Sequence, residues 1–484
     1  MSSPRTIIGL EVHVQLKTQT KLFCGCLAQF GAPPNTQVCD VCMGLPGALP
    51  VLNRRAVELA LRAGLALNCK IPERTKWDRK QYFYPDLPKG YQISQFDQPI
   101  CGAGYLDLED TEPSRRIRII RAHLEEDAGK SSHDEGAGTG ESRIDLNRCG
   151  TPLLEIVSEP DLRSADEATA YLGEVKQRMR HLGVSDCEMQ EGSLRVDANV
   201  NLHIDKDGET IATPIVEVKN MNSFRAVAAA IEYERQRQWD AWEQTGQTIR
   251  DCGKTTRGWN DVKEMTFLQR EKEESADYRY FPDPDLLPIE IPAALLKQVE
   301  QSMGELPGDT RKRYHQQLGI KPYEADVIVS QGPEMVAYFD AAVAVSGDAA
   351  KTATWIGQDV LREAKRLNVG MDAFPIDAAK LGELVARIAS GKLDNNRGRD
   401  VFTHLLDQDV SVDAAIAALG IESVDESQIE TLCRELLTDN PSVADDYRAG
   451  KTQAIGRLIG AARKKNANAN PQAVRETLIR LIET

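Results

Sequence analysis

The chain has 484 residues, more than one hydrophobic core usually holds, so two or more domains are expected. Hydrophobic residues at 41% and charged residues at 27% are typical of a globular protein and exclude a disordered one. No apolar run reaches the roughly 18 residues of a membrane span, and no signal or transit segment is recognisable, which predicts a cytoplasmic protein without a membrane partner. The net charge of −15 argues against a protein that coats nucleic acid non-specifically.

The N-terminal part shows the alternation of apolar and polar residues that predicts strands. Residues 7–16 alternate in this way, so Glu11 and His13 are expected on one face of a strand. Residues 193–204 alternate likewise and put Asp197 on their polar face. Helical patterns interrupt these strands, which indicates a mixed α and β domain with a sheet of antiparallel type.

The chain is expected to divide into three parts. Residues 1–290 mix strands and helices, residues 291–408 are predicted to be all-helical, and residues 409–484 to form a small helical tail. A turn-rich segment that ends at Pro288 marks the first boundary. The predicted fold class is therefore α+β, with a helical C-terminal portion.

Four of the ten cysteines follow the pattern C-x-C-x12-C-x2-C, namely Cys24, Cys26, Cys39 and Cys42. Two thiolate pairs on tight turns can converge on one tetrahedral Zn²⁺, and four soft ligands leave no open position, as in a structural site. Four reduced buried thiols are the plain alternative, and a redox dithiol at Cys39 and Cys42 is another. The paired spacing favours zinc.

Carboxylates near the predicted strands are candidates for binding a hard cation. Glu125 and Glu126 begin an acidic run of three after a strand-like segment, while Glu11, His13 and Asp197 lie on strand faces. Mg²⁺ prefers carboxylate oxygens together with substrate phosphates and water, so this set suits a nucleotide enzyme. Taken singly, an acidic run is more often a solvated turn.

Residues 77–95 combine cations, aromatic rings and stiff turns. Lys80 and Lys89 supply positive charge, and Tyr82 and Tyr91 supply faces and hydroxyl groups between prolines and a glycine. Such a loop provides what a phosphate or nucleotide site requires. A buried aromatic loop is the alternative.

A second anion-binding candidate lies further along the chain. Lys219 and Asn220 stand just before a predicted helix that Ser223 opens, where backbone amides and the helix dipole favour anions. The sequence contains no G-x-x-x-x-G-K-[ST] and no G-x-G-x-x-G after a strand. Any ATP site is therefore not of the P-loop or Rossmann type.

The C-terminal segment is basic although the whole chain is acidic. Residues 448–484 hold eight Lys or Arg and two Glu. This segregation of charge indicates a polyanionic partner, and a solvated helical face is the alternative.

Eight ordered segments resemble one enzyme family. They are IGLEVHVQL, CDVCMGLPGALPVLN, KQYFYPDLPKGYQISQ, HLEEDAGK, GTPLLEIVSEPD, EGSLRVDANVN, EVKNMNSF and DYRYFPDPDL. They are similar to the B subunits of the aspartyl/glutamyl-tRNA amidotransferases and span about residues 7–290 in family order. The remainder resembles that family's helical domain and its small YqeY-like tail.

The resemblance implies a ligase that forms C–N bonds with glutamine as amide donor. Glu-tRNA(Gln), Asp-tRNA(Asn) or both would be converted to Gln-tRNA(Gln) and Asn-tRNA(Asn), with ATP first phosphorylating the side-chain carboxylate. Mg²⁺ and a structural Zn²⁺ are the implied metals. Since no glutaminase nucleophile is visible here, ammonia is expected from a partner amidase, the A subunit, while a small third chain, the C subunit, makes the complex a heterotrimer.

The resemblance also carries site residues onto this sequence. His13 and Glu125 are expected to bind Mg²⁺ in a "cradle" domain, with Glu11, Glu126 and Asp197 as further catalytic carboxylates. The expected ATP and acceptor pocket consists of Lys80, Tyr82, Lys89, Tyr91, Ser94, Lys219 and Asn220. The expected tRNA contacts of the tail are Lys451, Arg463, Lys464 and Lys465. In the tail a glycine of the family pattern is lost between Gly460 and Asn470, which leaves the geometry of these contacts open.

Two other functions are compatible with parts of this pattern. A zinc-stabilised RNA-binding scaffold without catalysis would account for the cysteines and the basic tail. An ATP-dependent ligase acting on a free amino acid would account for the carboxylates. The metal-ligand side chains disfavour the first and the basic tail disfavours the second, while the choice between Glu-tRNA and Asp-tRNA stays open.

Overall fold

The computed structural model describes residues 4–108, 114–133, 142–271, 277–421, 426–449, 451–466 and 468–483. Two compact units make up the chain, Met1–Leu306 and Pro307–Thr484. The finer division into three parts stays a prediction. Within the described ranges, every helix is too short or too polar to span a bilayer.

All strands of the described residues lie in the first unit. Their bounds are β1 Arg5–Gln15, β2 Arg74–Thr75, β3 Asp78–Gln81, β4 Tyr91–Ser94, β5 Gly104–Leu108, β6 Arg115–Glu126, β7 Lys130–His133, β8 Ser142–Asp145, β9 Pro152–Ser158, β10 Leu194–Lys206, β11 Glu209–Ala212, β12 Val216–Lys219, β13 Thr255–Asn260, β14 Met265–Glu271, β15 Phe281–Pro282 and β16 Ile289–Glu290.

Helices lie in both units. Those of the first unit are α1 Asp40–Met43, α2 Arg54–Ala66, α3 Ala165–His181, α4 Phe224–Thr245 and α5 Ala293–Gln301. Those of the second are α6 Pro307–Gln316, α7 Pro322–Val329, α8 Pro333–Ser346, α9 Ala349–Trp355, α10 Leu361–Leu367, α11 Ala378–Ala389, α12 Asn395–Asp407, α13 Val412–Ala418, α14 Glu426–Asp439, α15 Pro441–Arg448, α16 Ile455–Lys465 and α17 Pro471–Glu483. A π-helical turn, Ile356–Val360, joins α9 to α10, and 3₁₀ turns occupy Met371–Ala373 and Thr452–Ala454.

The main sheet is built around the N-terminal strand. Its order is β14-β13-β12-β10-β1-β9-β6-β5, with β11 added to β10. Neighbours are antiparallel except for β12 and β13, which run parallel. In β1, Val12 and Val14 are fully buried and alternate with partly exposed Glu11 and His13, as the period of two predicts. The predicted α+β class is confirmed.

Helices α2, α3 and α4 cover the apolar face of this sheet, where one large hydrophobic core forms. Ser164 begins α3, its Oγ accepting from the Glu167 N–H at 3.1 Å, and Ser223 begins α4 by accepting from the Ala226 N–H at 3.0 Å. These N-caps satisfy amides that a helix start leaves unpaired. The opposite face of the central strands is left for polar side chains.

A β-bulge interrupts β6 halfway along. Ile119 pairs with Ser158 but Arg121 pairs with Val157, so Ile120 is an extra residue without a partner on β9. One extra residue reverses the in-and-out phase of every residue after it. Even-numbered side chains face outward before the bulge, and odd-numbered ones take that place after it.

Three short strands, β15-β3-β4, form a small second sheet beside the main one. Phe281 of β15 pairs with Arg79 of β3, and the Gln81 N–H donates to the Tyr278 carbonyl at 3.0 Å. The segment that the sequence marks as a boundary therefore returns to pair with β3.

The second unit is helical and contains two apolar clusters. One gathers buried side chains between Tyr314 and Ala415, and the other gathers those between Ile429 and Ile482. Pro471 starts the last helix at its first position, where a missing N–H costs nothing.

Candidate active site

A row of polar side chains crosses three central strands on one face of the sheet. The register pairs His13 of β1 with Glu155 of β9, and Glu155 with His123 of β6. Glu155 Oε2 lies 3.5 Å from His13 Nε2 and 3.3 Å from His123 Nε2. One carboxylate oxygen thus lies between two imidazoles.

Glu125 extends this row along β6. Its Oε2 lies 3.6 Å from His123 Nε2 and accepts from Ser94 Oγ at 3.3 Å. The ligand atoms of His13, Glu125 and Glu155 all lie within 4.8 Å of one another. One imidazole nitrogen and two carboxylate oxygens at this separation can bind a single divalent cation.

Burial and neighbouring charges shift the pKa values in this row. Burial would lower the pKa of His123, but Glu155 and Glu125 raise it to about 9. Burial likewise opposes a rise in the pKa of His13, which Glu155 nevertheless produces. For Glu155, burial acts to raise the pKa, yet the two histidines hold it well below its usual range. Glu155 therefore stays ionised, as a cation ligand must.

Glu11 and Asp197 form a second row on the same face. They are register partners on β1 and β10, two residues along from His13. Glu11 Oε1 accepts from Asn199 Nδ2 at 2.9 Å, and Asp197 is ion-paired with Lys219. Each carboxylate has a neighbour of its own and lies outside the His13 cluster, so the sheet face carries two adjacent acidic groups.

The structure separates Glu126 from Glu125. Consecutive residues of a strand point to opposite faces, and Glu126 is buried in an ion pair with Lys89. The side chains of Glu126 and Lys89 line a cavity that also reaches Cys24 and Cys42. The predicted carboxylates therefore do not form one cluster.

The predicted nucleotide-binding residues of the small sheet lie on both of its faces. Strand alternation puts Lys80 and Ser94 on one face and Tyr91 on the other. Lys80 Nζ lies 5.8 Å from the ring centroid of Tyr82, and Tyr91 lies 5.2 Å from the ammonium of Lys89. The Lys80 face contacts the cation cluster through Ser94, which donates to Glu125.

Asn220 and the four tail cations are the remaining predicted residues. Asn220 is exposed directly after β12, with a left-handed φ of 65°. In the second unit, Arg463, Lys464 and Lys465 form the last turn of α16. Lys451 lies in a separate turn and is ion-paired with an aspartate. Three of the four tail cations thus share one helix end.

The four cysteines of the sequence pattern converge. Their sulfur atoms all lie within 4.8 Å of one another, and those of Cys39 and Cys42 are 3.9 Å apart. Tetrahedral Zn²⁺ with bonds of about 2.3 Å needs sulfurs about 3.8 Å apart. The side chains therefore fit zinc, and a hydrogen bond from Cys24 lowers the pKa of Cys42 to about 4, which favours a thiolate.

A buried lysine lies against this cysteine cluster. Lys21 is completely buried, and its ammonium donates to the Gln37 carbonyl at 2.7 Å and to Cys42 Sγ at 3.7 Å. A buried ammonium needs an opposite charge nearby. A tetrathiolate site with net negative charge would supply it.

Sequence reasoning missed two members of the central row, Glu155 and His123. Glu155 is the one acidic residue inside the apolar strand PLLEIVS, and His123 precedes Glu125 by two residues. An isolated acid within a buried strand and the same-face spacing of His123 and Glu125 were the available signals. Only the register shows that they meet.

Comparison with known proteins agrees with this architecture. Residues 6–297 match the family model described as the GatB/GatE catalytic domain, and residues 337–482 match the GatB domain. The class of the first unit is therefore that of a GatB/GatE catalytic domain.

Relatives match along the whole chain. The B subunit of the aspartyl/glutamyl-tRNA(Asn/Gln) amidotransferase of Rhodopirellula baltica is 66% identical over 99% of this chain and 96% of its own length. The proteins of the same name from Chlorobaculum tepidum and Helicobacter hepaticus are each 44% identical over 99% of both chains. The chain belongs to the family of aspartyl/glutamyl-tRNA(Asn/Gln) amidotransferase B subunits, which confirms the resemblance seen in the motifs.

Proposed function

We propose that this chain is the ATP-dependent subunit of a tRNA-dependent amidotransferase, a ligase that uses glutamine as amide donor. It converts Glu-tRNA(Gln), Asp-tRNA(Asn) or both into Gln-tRNA(Gln) and Asn-tRNA(Asn). The observation that carries this proposal is the cation-binding set of His13, Glu125 and Glu155 within the matched catalytic domain. Similarity over the full length to proteins of that name supports the substrate class.

The chemistry requires two steps because a carboxylate is a poor electrophile. In the first, an oxygen of the side-chain carboxylate bonds to the γ-phosphorus of ATP, and the bond to ADP breaks with its electron pair on ADP. In the second, ammonia attacks the acyl carbon, phosphate leaves and a proton is released. Both steps build charge that fixed groups must stabilise.

The central row holds its carboxylates ready for a cation. His13, Glu125 and Glu155 would bind Mg²⁺, which when bound neutralises phosphate charge. Ser94 donates to Glu125, and His123 lies against both carboxylates, so the ligands are oriented before substrate arrives. Glu11, Asp197 and Lys219 of the adjacent row, with Lys80, Tyr82, Lys89, Tyr91 and Asn220, are proposed for the ATP and acceptor pocket, and Glu126 acts with Lys89.

Partners and the second metal complete the proposal. Cys24, Cys26, Cys39 and Cys42 would hold a structural zinc ion, since their sulfur atoms have tetrahedral spacing. The amidase, or A subunit, supplies ammonia, and the small C subunit makes the complex a heterotrimer. The basic end of α16 binds the tRNA backbone, which supplies negative charge.

The test uses the chain co-purified with its A and C subunits. The complex receives Glu-tRNA(Gln) or Asp-tRNA(Asn), Mg²⁺, ATP and either glutamine or ammonium, and both ADP and the amino acid recovered from the tRNA are measured. ATP-dependent formation of Gln or Asn on the tRNA is the expected result. Ammonium replaces the amidase step and so isolates the activity of this chain.

Matched variants test the assignment of the site. Glu155→Gln should abolish ADP formation because it removes a charged ligand and the negative charge that lies between two imidazoles. Glu209→Gln changes an exposed carboxylate of the same sheet and should leave the rate unchanged. Glutaminase activity of the partner amidase should persist in both. Full amidation by Glu155→Gln would contradict the assignment.

A further inference from the structure

Arg121 lies on the same sheet face as the candidate cation ligands. The bulge in β6 places it there, directly before the stretch of the strand that carries His123 and Glu125. In an uninterrupted strand, Arg121 would be in phase with the buried Ile117 and Ile119. Bulges commonly re-aim a side chain beside an active site.

The guanidinium of Arg121 has no partner within the part of the chain that the structure describes. Its Nε is buried without a hydrogen bond, and no carboxylate lies within ion-pair distance. Two other cations of this region are neutralised, Arg195 by Asp127 at 2.7 Å and Lys219 by Asp197. A partly buried donor left unpaired is costly unless a ligand satisfies it.

A hydroxyl group and a second cation lie near Arg121. Lys80 faces the same region without an ion pair among the described residues, and its ammonium lies 5.0 Å from the ring centroid of Tyr278. Tyr280 directly precedes β15, which pairs with β3. Burial and the charges of Glu125 and Glu155 raise the pKa of Tyr280, while the charges of Lys80 and Arg121 act to lower it. Two uncompensated positive charges and a donor thus approach the cation cluster.

We propose that Arg121 binds the γ-phosphoryl oxygens of ATP next to the metal-ligand set, with Lys80 as the second cation of this subsite. The assignment rests on the proposed function. A guanidinium presents its N–H groups in a fixed fork that matches two phosphate oxygens. Positive charge here stabilises the phosphoryl group as it passes from ADP to the substrate carboxylate.

A phosphoryl group fits this subsite better than the acceptor carboxylate does. The sheet face already carries the carboxylates of Glu11, Asp197, Glu125 and Glu155, so an incoming anion is repelled unless cations offset the repulsion. A terminal phosphate carries about two negative charges and three acceptor oxygens, which matches two unpaired cations. A side-chain carboxylate carries one charge.

Binding measurements on the complete heterotrimer test the subsite directly. The probes are ADP and the non-hydrolysable analogue AMP-PNP with Mg²⁺, which differ in the terminal phosphoryl group. Arg121→Met should weaken AMP-PNP binding at least about tenfold, leave ADP binding unchanged and slow ADP formation on the order of a hundredfold. Arg121→Lys keeps the charge without the fork of N–H groups. Its AMP-PNP affinity and its rate of ADP formation should therefore lie between those of Arg121→Met and of the wild type.

Arg118 supplies the matched control on the same strand. It lies before the bulge, and its guanidinium makes two hydrogen bonds to Asp161, at 2.9 and 2.7 Å, so Arg118→Met should bind both nucleotides like the wild type. Thermal unfolding of each variant shows whether the fold is kept, and Arg121→Lys decides the test if Arg121→Met does not fold.

Three outcomes would overturn the assignment. Equal weakening of ADP and AMP-PNP would indicate a role outside the terminal phosphate. Unchanged AMP-PNP binding with a raised KM for aminoacyl-tRNA would indicate that Arg121 binds the acceptor carboxylate instead. Unchanged binding and rate would leave it without either role. Absence of amidation by the wild-type complex would refute the proposed function itself, a result distinct from all three.

Discussion

Replacing Lys21 by methionine should weaken zinc binding while the chain stays folded. The lysine is completely buried, and its ammonium lies 3.7 Å from Cys42 Sγ and 2.7 Å from the Gln37 carbonyl. Methionine has a similar length and is apolar, so the substitution removes one positive charge with little change in packing. Losing this positive charge destabilises the zinc-bound state, in which the four sulfurs carry negative charge.

The size of the effect follows from this geometry. Four thiolates and one Zn²⁺ carry a net charge of about −2, about one negative charge more than the metal-free cluster, in which Cys42 is a thiolate. Two unit charges 3.7 Å apart interact by about 4.5 kcal/mol at an effective dielectric constant near 20. Because the negative charge is spread over four sulfurs and zinc opposes it, about 3 kcal/mol remains, on the order of a hundredfold in affinity.

Competition with a coloured chelator of known zinc affinity measures this difference. Lys17→Met is the matched control, since Lys17 is exposed four residues earlier and its charge is screened by water. Its zinc affinity should equal that of the wild type. If Lys21→Met is folded and binds zinc within about threefold of the wild type, the electrostatic reasoning is wrong.

Three further perturbations test other contacts. The lysines beside Glu217 overcome its burial and lower its pKa to about 2, so its stabilisation is complete above about pH 4.5 and is lost as the pH falls towards 2. Glu217→Gln should therefore cost about 2 kcal/mol in urea unfolding at pH 7 and little near pH 2, and an equal cost at both would contradict this. Deleting Ile120 removes the extra residue of the bulge, so Arg121 directly follows Ile119 and keeps both its outward face and its pairing with Val157; cooperative thermal unfolding should persist, and its loss would show that the bulge itself is needed for the fold. Gly44→Ala puts a methyl 2.2 Å from Lys89 Cγ at a φ of 69°, so its thermal midpoint should fall by several degrees, and an unchanged midpoint would refute the predicted clash.

The first strand shows what local sequence can predict. Alternation in residues 7–16 places Glu11 and His13 on one face, and the structure has them there because the opposite residues fill the core. The cysteine pattern is equally local, since its spacing sets which sulfurs can meet. Both features depend on residues that lie close together in the sequence.

Features that depend on strand register were beyond the sequence. Glu155 meets His13 only because β9 pairs with β1 over a separation of about 140 residues. Arg121 points to the site only because an extra residue shifts the phase of β6, which is also why alternation there is incomplete. Adjacency in the sequence places Glu126 with Glu125 in one predicted carboxylate site, although alternation on a strand puts their side chains on opposite faces.

The position of β1 in the sheet has a consequence for synthesis on the ribosome. This strand is translated before both of its partners, β9 and β10, which follow at residues 152–158 and 194–206. At 5–20 residues per second, roughly 10–40 s pass before the last partner is made. For that interval an apolar strand has no edge to pair with, and it is exposed to other nascent chains. The topology therefore makes newly made β1 a natural client for a chaperone until residue 206 has emerged.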